Sequence, residues 1–113
     1  MVTVDDVRSI AAELPGSYEV VVRDRVKFRV GRYVYIAFSR DETVMGFGYL
    51  RDERDALVAS DPETFLPPDP VDVRYHWVQA RMAALDTVQL RDLVVDAWRI
   101  AAPKRLSAEY GNA

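Results

Sequence analysis

Hydrophobic and polar positions along the chain divide it into segments of different period. Val7, Ile10, Ala11 and Leu14 recur at helical spacing. Thr3 stands where an N-cap belongs, and Asp5 and Asp6 fall in the first turn, where the helix dipole favours anions. Pro15-Gly16 closes this first helix. From Tyr18 to Leu50 the period changes to two. Glu19 to Val22 is β-branched and strand-like. Arg25 to Val30 alternates strictly, with Val26, Phe28 and Val30 on one face and Arg25, Lys27 and Arg29 on the other. Gly31-Arg32 reads as a tight turn. Tyr33 to Phe38 is the next strand, with Val34, Ile36 and Phe38 expected on one face and Tyr33 and Tyr35 on the other. Residues 39–43 form a polar hairpin loop, and Val44 to Leu50 is a further strand.

The second half is less regular. Arg51 to Ser60 reads as a short charged helix with Ala56 and Leu57 inward, stopped by Asp61-Pro62. Residues 61–72 hold four of the six prolines and read as an irregular crossing segment anchored by Phe65 and Leu66. Tyr75 to Met82 is the last strand. Asp86-Thr87-Val88-Gln89 resembles a capping box. Leu90, Leu93, Val94, Ala97 and Ala101 then make one apolar stripe with Trp98 beside it, and Pro103 ends the helix. Lys104-Arg105 and a small-residue tail follow. The expected architecture is a two-layer α+β sandwich, an antiparallel sheet with helices packed on one face, in one domain over residues 1–113 with its core at about 3–106. The other sheet face is then partly open, which antiparallel sheets tolerate.

Composition narrows the function classes. A chain of 113 residues, half of them hydrophobic, has room for one core. No apolar run reaches the roughly 18 residues a membrane span needs, and the acidic start, Asp5-Asp6 included, is no signal peptide. With cysteine absent, disulfides and thiol catalysis are excluded. These features point to a cytoplasmic location. His76 is the one histidine, too few for histidine metal chemistry, and Asp52, Glu53 and Asp55 read as a helix start, so neither a metal nor a cofactor is expected. Gly46-Phe47-Gly48 lies inside a strand pattern and is no phosphate loop; its glycines allow a close helix or mark a bulge. Trp77 and Trp98 read as core anchors. No nucleophile elbow accompanies His76, so no catalytic residues are assigned and an enzyme is not expected.

Charge is unevenly distributed along the chain. Net charge is −3, yet residues 20–40 carry six basic side chains against one acidic, a local +5, leaving −8 elsewhere. Arg23, Arg25, Lys27 and Arg29 are expected on one strand side with Arg32 at the turn, a row suited to phosphates. Tyr33 and Tyr35 offer aromatic surface beside it. The acidic pI of about 5.1 counts against tight DNA binding.

Several segments together resemble a known family. They are Lys27-Phe28-Arg29-Val30-Gly31-Arg32, Phe65 ahead of prolines, His76-Trp77-Val78-Gln79-Ala80-Arg81-Met82, Ala97-Trp98-Arg99 and Ala102-Pro103-Lys104-Arg105. This pattern is similar to the MmcQ/YjbR-like family of small bacterial proteins. The resemblance implies a fold like that of secretion chaperones and frataxin, and a DNA-binding description based on a paired-wing use of the sheet. It implies no catalytic residues. The chain departs from the family at Ala97-Trp98, where Ser-Tyr is common, and at Arg32, where Lys is common. The expectation is a non-enzymatic binding module with two partners open: DNA through Arg23, Arg25, Lys27, Arg29 and Arg32, or a protein or small ligand on the open sheet face with Tyr33 and Tyr35.

Overall fold

The computed structural model of the protein describes residues 1–111. Helix α1 (Val4–Ala11) begins at Thr3, whose side chain and Asp6 cap each other reciprocally. It stops before Pro15-Gly16, because the chain must turn into the sheet. Strands β1 (Ser17–Val22), β2 (Arg25–Val30), β3 (Tyr33–Phe38) and β4 (Val44–Gly48) form a meander. Helix α2 (Arg51–Ser60), a two-residue strand β5 (Phe65–Leu66) and β6 (Trp77–Arg81) follow. Helix α3 (Thr87–Ala101) starts at Asp86, whose carboxylate accepts from the Gln89 N–H at 2.7 Å.

The six strands make one sheet in the order β1-β2-β3-β4-β6-β5, every neighbouring pair antiparallel. This is an α+β fold. The core lies between one sheet face and helices α1 and α3. Phe28, Ile36, Phe38, Met45, Phe47, Phe65, Val78 and Ala80 meet Val7, Ile10, Leu90, Val94, Ala97 and Trp98 there, all buried. Phe28–Phe38 and Phe47–Phe65 meet edge to face, the arrangement aromatic quadrupoles favour. Arg8 ties the layers at the surface, with 2.7 Å to Asp5 and 2.8 Å to Glu19 of β1.

Four sequence expectations are corrected. The residues after Pro103 form a further helix, α4 (Lys104–Gly111), rather than a tail. Its Tyr110 ring sits edge-on to Trp98 at 5.5 Å, and its Leu106 packs on Gly16. The expected tail's residues 112–113 lie outside the described residues. In α2 no residue is fully buried; Ala56 is exposed, and Leu57 and Val58 are half-buried. The last strand is shorter than expected, because Tyr75 and His76 belong to the loop before it.

The fourth correction concerns β3. Phe28 pairs with Ile36 but Arg29 pairs with Val34, so Tyr35 is the extra residue of a β-bulge. A bulge breaks strict alternation and re-aims side chains. Tyr35 therefore points into the helix-side core, only 1% exposed, with its hydroxyl bonded to that of Ser17. Beyond the bulge Val34 moves to the open face opposite Arg29, and Tyr33 falls opposite the core residue Val30. The expected aromatic pair on the open face is absent.

Candidate functional site

The open sheet face is not flat. A groove of about 650 Å³ crosses it, lined by Arg25 and Lys27 of β2, Val34 and Ala37 of β3, Gly46 of β4, Trp77 and Gln79 of β6, and Asp69, Asp72, Tyr75 and His76 of the preceding loop. Each element places its residues by register. Lys27 pairs with Ala37, Ala37 with Gly46, and Gly46 with Gln79, so one continuous row crosses β2, β3, β4 and β6. Small residues in the middle of that row, Ala37 and Gly46, keep the floor low.

Trp77 occupies the space so created. A Cβ on Gly46 would lie 2.7 Å from its Nε1 and 2.8 Å from its Cζ2, so the indole rests directly on the Gly46 backbone. Trp77 is half-buried on the open face. It is no core anchor, contrary to the reading from sequence. Trp98 is the anchor: it is fully buried and donates from Nε1 to the Pro15 carbonyl at 3.1 Å.

The groove's far wall is the proline-rich segment before β6. A 3₁₀ turn at Pro70–Asp72 and the buried Pro68 shape it. Helix α2 holds it in place. Arg54 donates to the carbonyls of Val73 (2.9 Å) and Tyr75 (3.2 Å), and Arg51 donates to that of Arg74 (3.0 Å). The Arg51 N–H also approaches His76 Nδ1 at 3.4 Å. These two arginines satisfy backbone carbonyls of a loop that has no ladder partners. Sequence reasoning missed them, having read α2 only as a charged helix. Their spacing of three residues, one helical turn, was the available signal.

The basic row is partly assembled. Arg25 and Lys27 line the groove, and neither forms an ion pair among the described residues. Arg29 shares their face but is half-buried, and its Nε has no hydrogen-bond partner. Arg23 does not alternate with them on the strand: with Asp24 it makes the β1–β2 turn, at φ 52° and 65°. Arg32 sits in the turn at the other end of β2, its guanidinium over the exposed Tyr33 ring. Tyr33 instead borders a second, smaller crevice of about 230 Å³ with Tyr35, Gly48, Ala97 and Ile100. At Gly48 an added Cβ would make only ordinary contact with the Ala97 carbonyl, at 3.7 Å, so the packing of α3 there does not require glycine. Among the described residues no three His, Asp or Glu side chains gather to hold a metal ion, and no helix is long and apolar enough to cross a membrane.

Burial and ion pairing move a few titrations away from the groove. Burial pushes the Tyr35 hydroxyl up, opposed by its bond to Ser17. Hydrogen bonds from Arg8 and Arg91 pull Glu19 and Glu13 below the usual carboxylate range.

Fold and site together define a class: a two-layer α+β protein whose antiparallel sheet has one face covered by helices and the other carrying a walled groove. Within that class the chain belongs to the YjbR family, whose model matches residues 12–100. Its fold is similar to the crystal structure of Deinococcus radiodurans protein DR2400, which carries the family-model domain DUF419. The TM-score is 0.79 at 22% identity, over 96% of this chain and 88% of that one. No curated protein matches the chain.

Proposed function

We propose that the protein is a non-enzymatic binding module and that its ligand is a small anion with a flat apolar part, held in the open-face groove. The observation that carries this is the combination on one floor of an accessible indole seated on Gly46 and two unpaired cations, Arg25 and Lys27. A planar group stacks on the indole face, while Arg and Lys take the anion. The volume of about 650 Å³ falls within the range of small-molecule sites. Asp69 and Asp72 on the opposite wall favour a compact ligand over a polyanion, which would meet their charges along its length.

Adenosine 5′-monophosphate is a suitable first probe, since it joins a flat ring to a phosphate. Titration should quench tryptophan emission. Trp77→Phe, with Trp98 as the remaining fluorophore, should abolish the response, and Arg25→Gln with Lys27→Gln should weaken binding by about tenfold or more. Unchanged binding in both variants would overturn the site.

DNA is the second reading, favoured by the exposure of Arg23, Arg25 and Arg32. An oligonucleotide held by about three of the basic side chains would show a log–log salt slope of about −3. The small-ligand reading instead predicts no retention of a DNA duplex at physiological salt.

A further inference from the structure

The two edges of the sheet are unlike. One edge is β5, two residues long and followed by Pro67-Pro68, which cannot extend a ladder. The other is β1, six residues with no proline, lysine or bulge, paired in unbroken register to β2 on one side only. An edge of this kind presents a row of free backbone donors and acceptors, and proteins usually blunt it. Three of its apolar side chains are exposed: Tyr18 is 44%, Val21 65% and Val22 37% accessible.

We infer that β1 is a homodimer interface, pairing antiparallel with β1 of a second copy about a two-fold axis at Val20. The occupant is chosen by self-complementarity, the requirement of an isologous contact. In this register Val20 faces Val20 of the second copy, and Tyr18 faces Val22, an aromatic–β-branched pair of the kind that stabilises sheets. Glu19 faces Val21, so no like charges oppose each other, and the Glu19 carboxylate is already held by Arg8 at 2.8 Å. Shifting the axis to Glu19 would set two carboxylates face to face, which disfavours that register.

The result is a continuous sheet of twelve strands with both grooves on the same side. Tyr18, Val20 and Val22 share the open face with Arg29, Lys27 and Arg25 of β2. The two β2 strands would therefore flank the seam, about 14 Å apart at three strand spacings.

Sedimentation equilibrium tests this directly. The mass of the wild type should rise from 12.9 kDa toward twice that value as concentration increases, with a dissociation constant between about 1 µM and 1 mM. Val21→Lys, at an exposed position, should weaken association about tenfold or more while leaving the melting curve of the dilute protein unchanged. Because the chain has no cysteine, Val20→Cys gives a second measurement: mild oxidation should link it into a covalent dimer, and Tyr33→Cys should not link. A wild type that stays monomeric to about 1 mM, a Val21→Lys variant that associates as well as wild type, or Val20→Cys linking no faster than Tyr33→Cys would each overturn the inference.

Discussion

The two tryptophans show how differently one side chain type is used at two depths. Trp98 is fully enclosed and hydrogen-bonded, so Trp98→Ala should cost about 3–5 kcal/mol in urea unfolding. Trp77, half-buried on the open face, should cost under about 2 kcal/mol as Trp77→Ala, since less of its area leaves water on folding. Equal losses in the two variants would place Trp77 in the core after all. Gly46 is the test of the seat beneath it. Gly46→Ala introduces a Cβ within 3 Å of three indole atoms, so the ring must lift. Tryptophan emission should shift to longer wavelength while the fold melts cooperatively. Ion pairs matter at the same scale. Hydrogen bonds from Arg8 and Arg91 lower the pKa values of Glu19 and Glu13, so their pairing contributes stability that is present above the usual glutamate range and lost as pH falls through their folded values. Tyr35 has the opposite sign: its raised pKa makes stability full below pH 10 and lost as pH rises through its folded value. Glu19→Gln should flatten the acid limb of a stability–pH curve, and Tyr35→Phe the alkaline limb.

At the scale of elements, the turn between β1 and β2 carries local strain. Arg23 and Asp24 both have positive φ, which costs an L residue roughly 1–2 kcal/mol. Glycine avoids that strain but loses about 0.5–1 kcal/mol of chain entropy. Asp24→Gly should therefore raise stability by up to about 1 kcal/mol, read as a higher midpoint in thermal melts. A loss would mean that the Asp24 side chain stabilises the turn. The same scale separates what the sequence makes legible from what it hides. Thr3, Asp86 and the stripe from Leu90 to Trp98 locate α1 and α3, because caps and periodicity are local. The alternation of Val26, Phe28 and Val30 gives the face of β2. Tyr35 misleads because a bulge leaves no mark in a pattern of alternating hydrophobics: Tyr33 to Phe38 is apolar at nearly every position and fits either register. Helix α4 is hidden by its brevity and weak apolar content; Leu106 and Tyr110 bind it through contacts with Gly16 and Trp98, distant in sequence.

For the whole molecule, a sheet covered on one face leaves the other available, and its fate decides the protein's role. The basic row on β2 and the tryptophan of β6 were both visible as residues. That they face one groove depended on three strand registers and on the proline segment that α2 clamps with Arg51 and Arg54. Arg54→Ala should loosen that wall, speeding amide exchange at Tyr75 and His76 and weakening ligand binding with little change in global melting. The most direct measurement is a map of backbone amide chemical shifts during titration with adenosine 5′-monophosphate. Changes should concentrate at Arg25, Lys27, Gly46, Trp77 and Gln79, with the Trp77 indole N–H among the largest. Changes spread over α1 and α3, or none at saturating ligand, would contradict it.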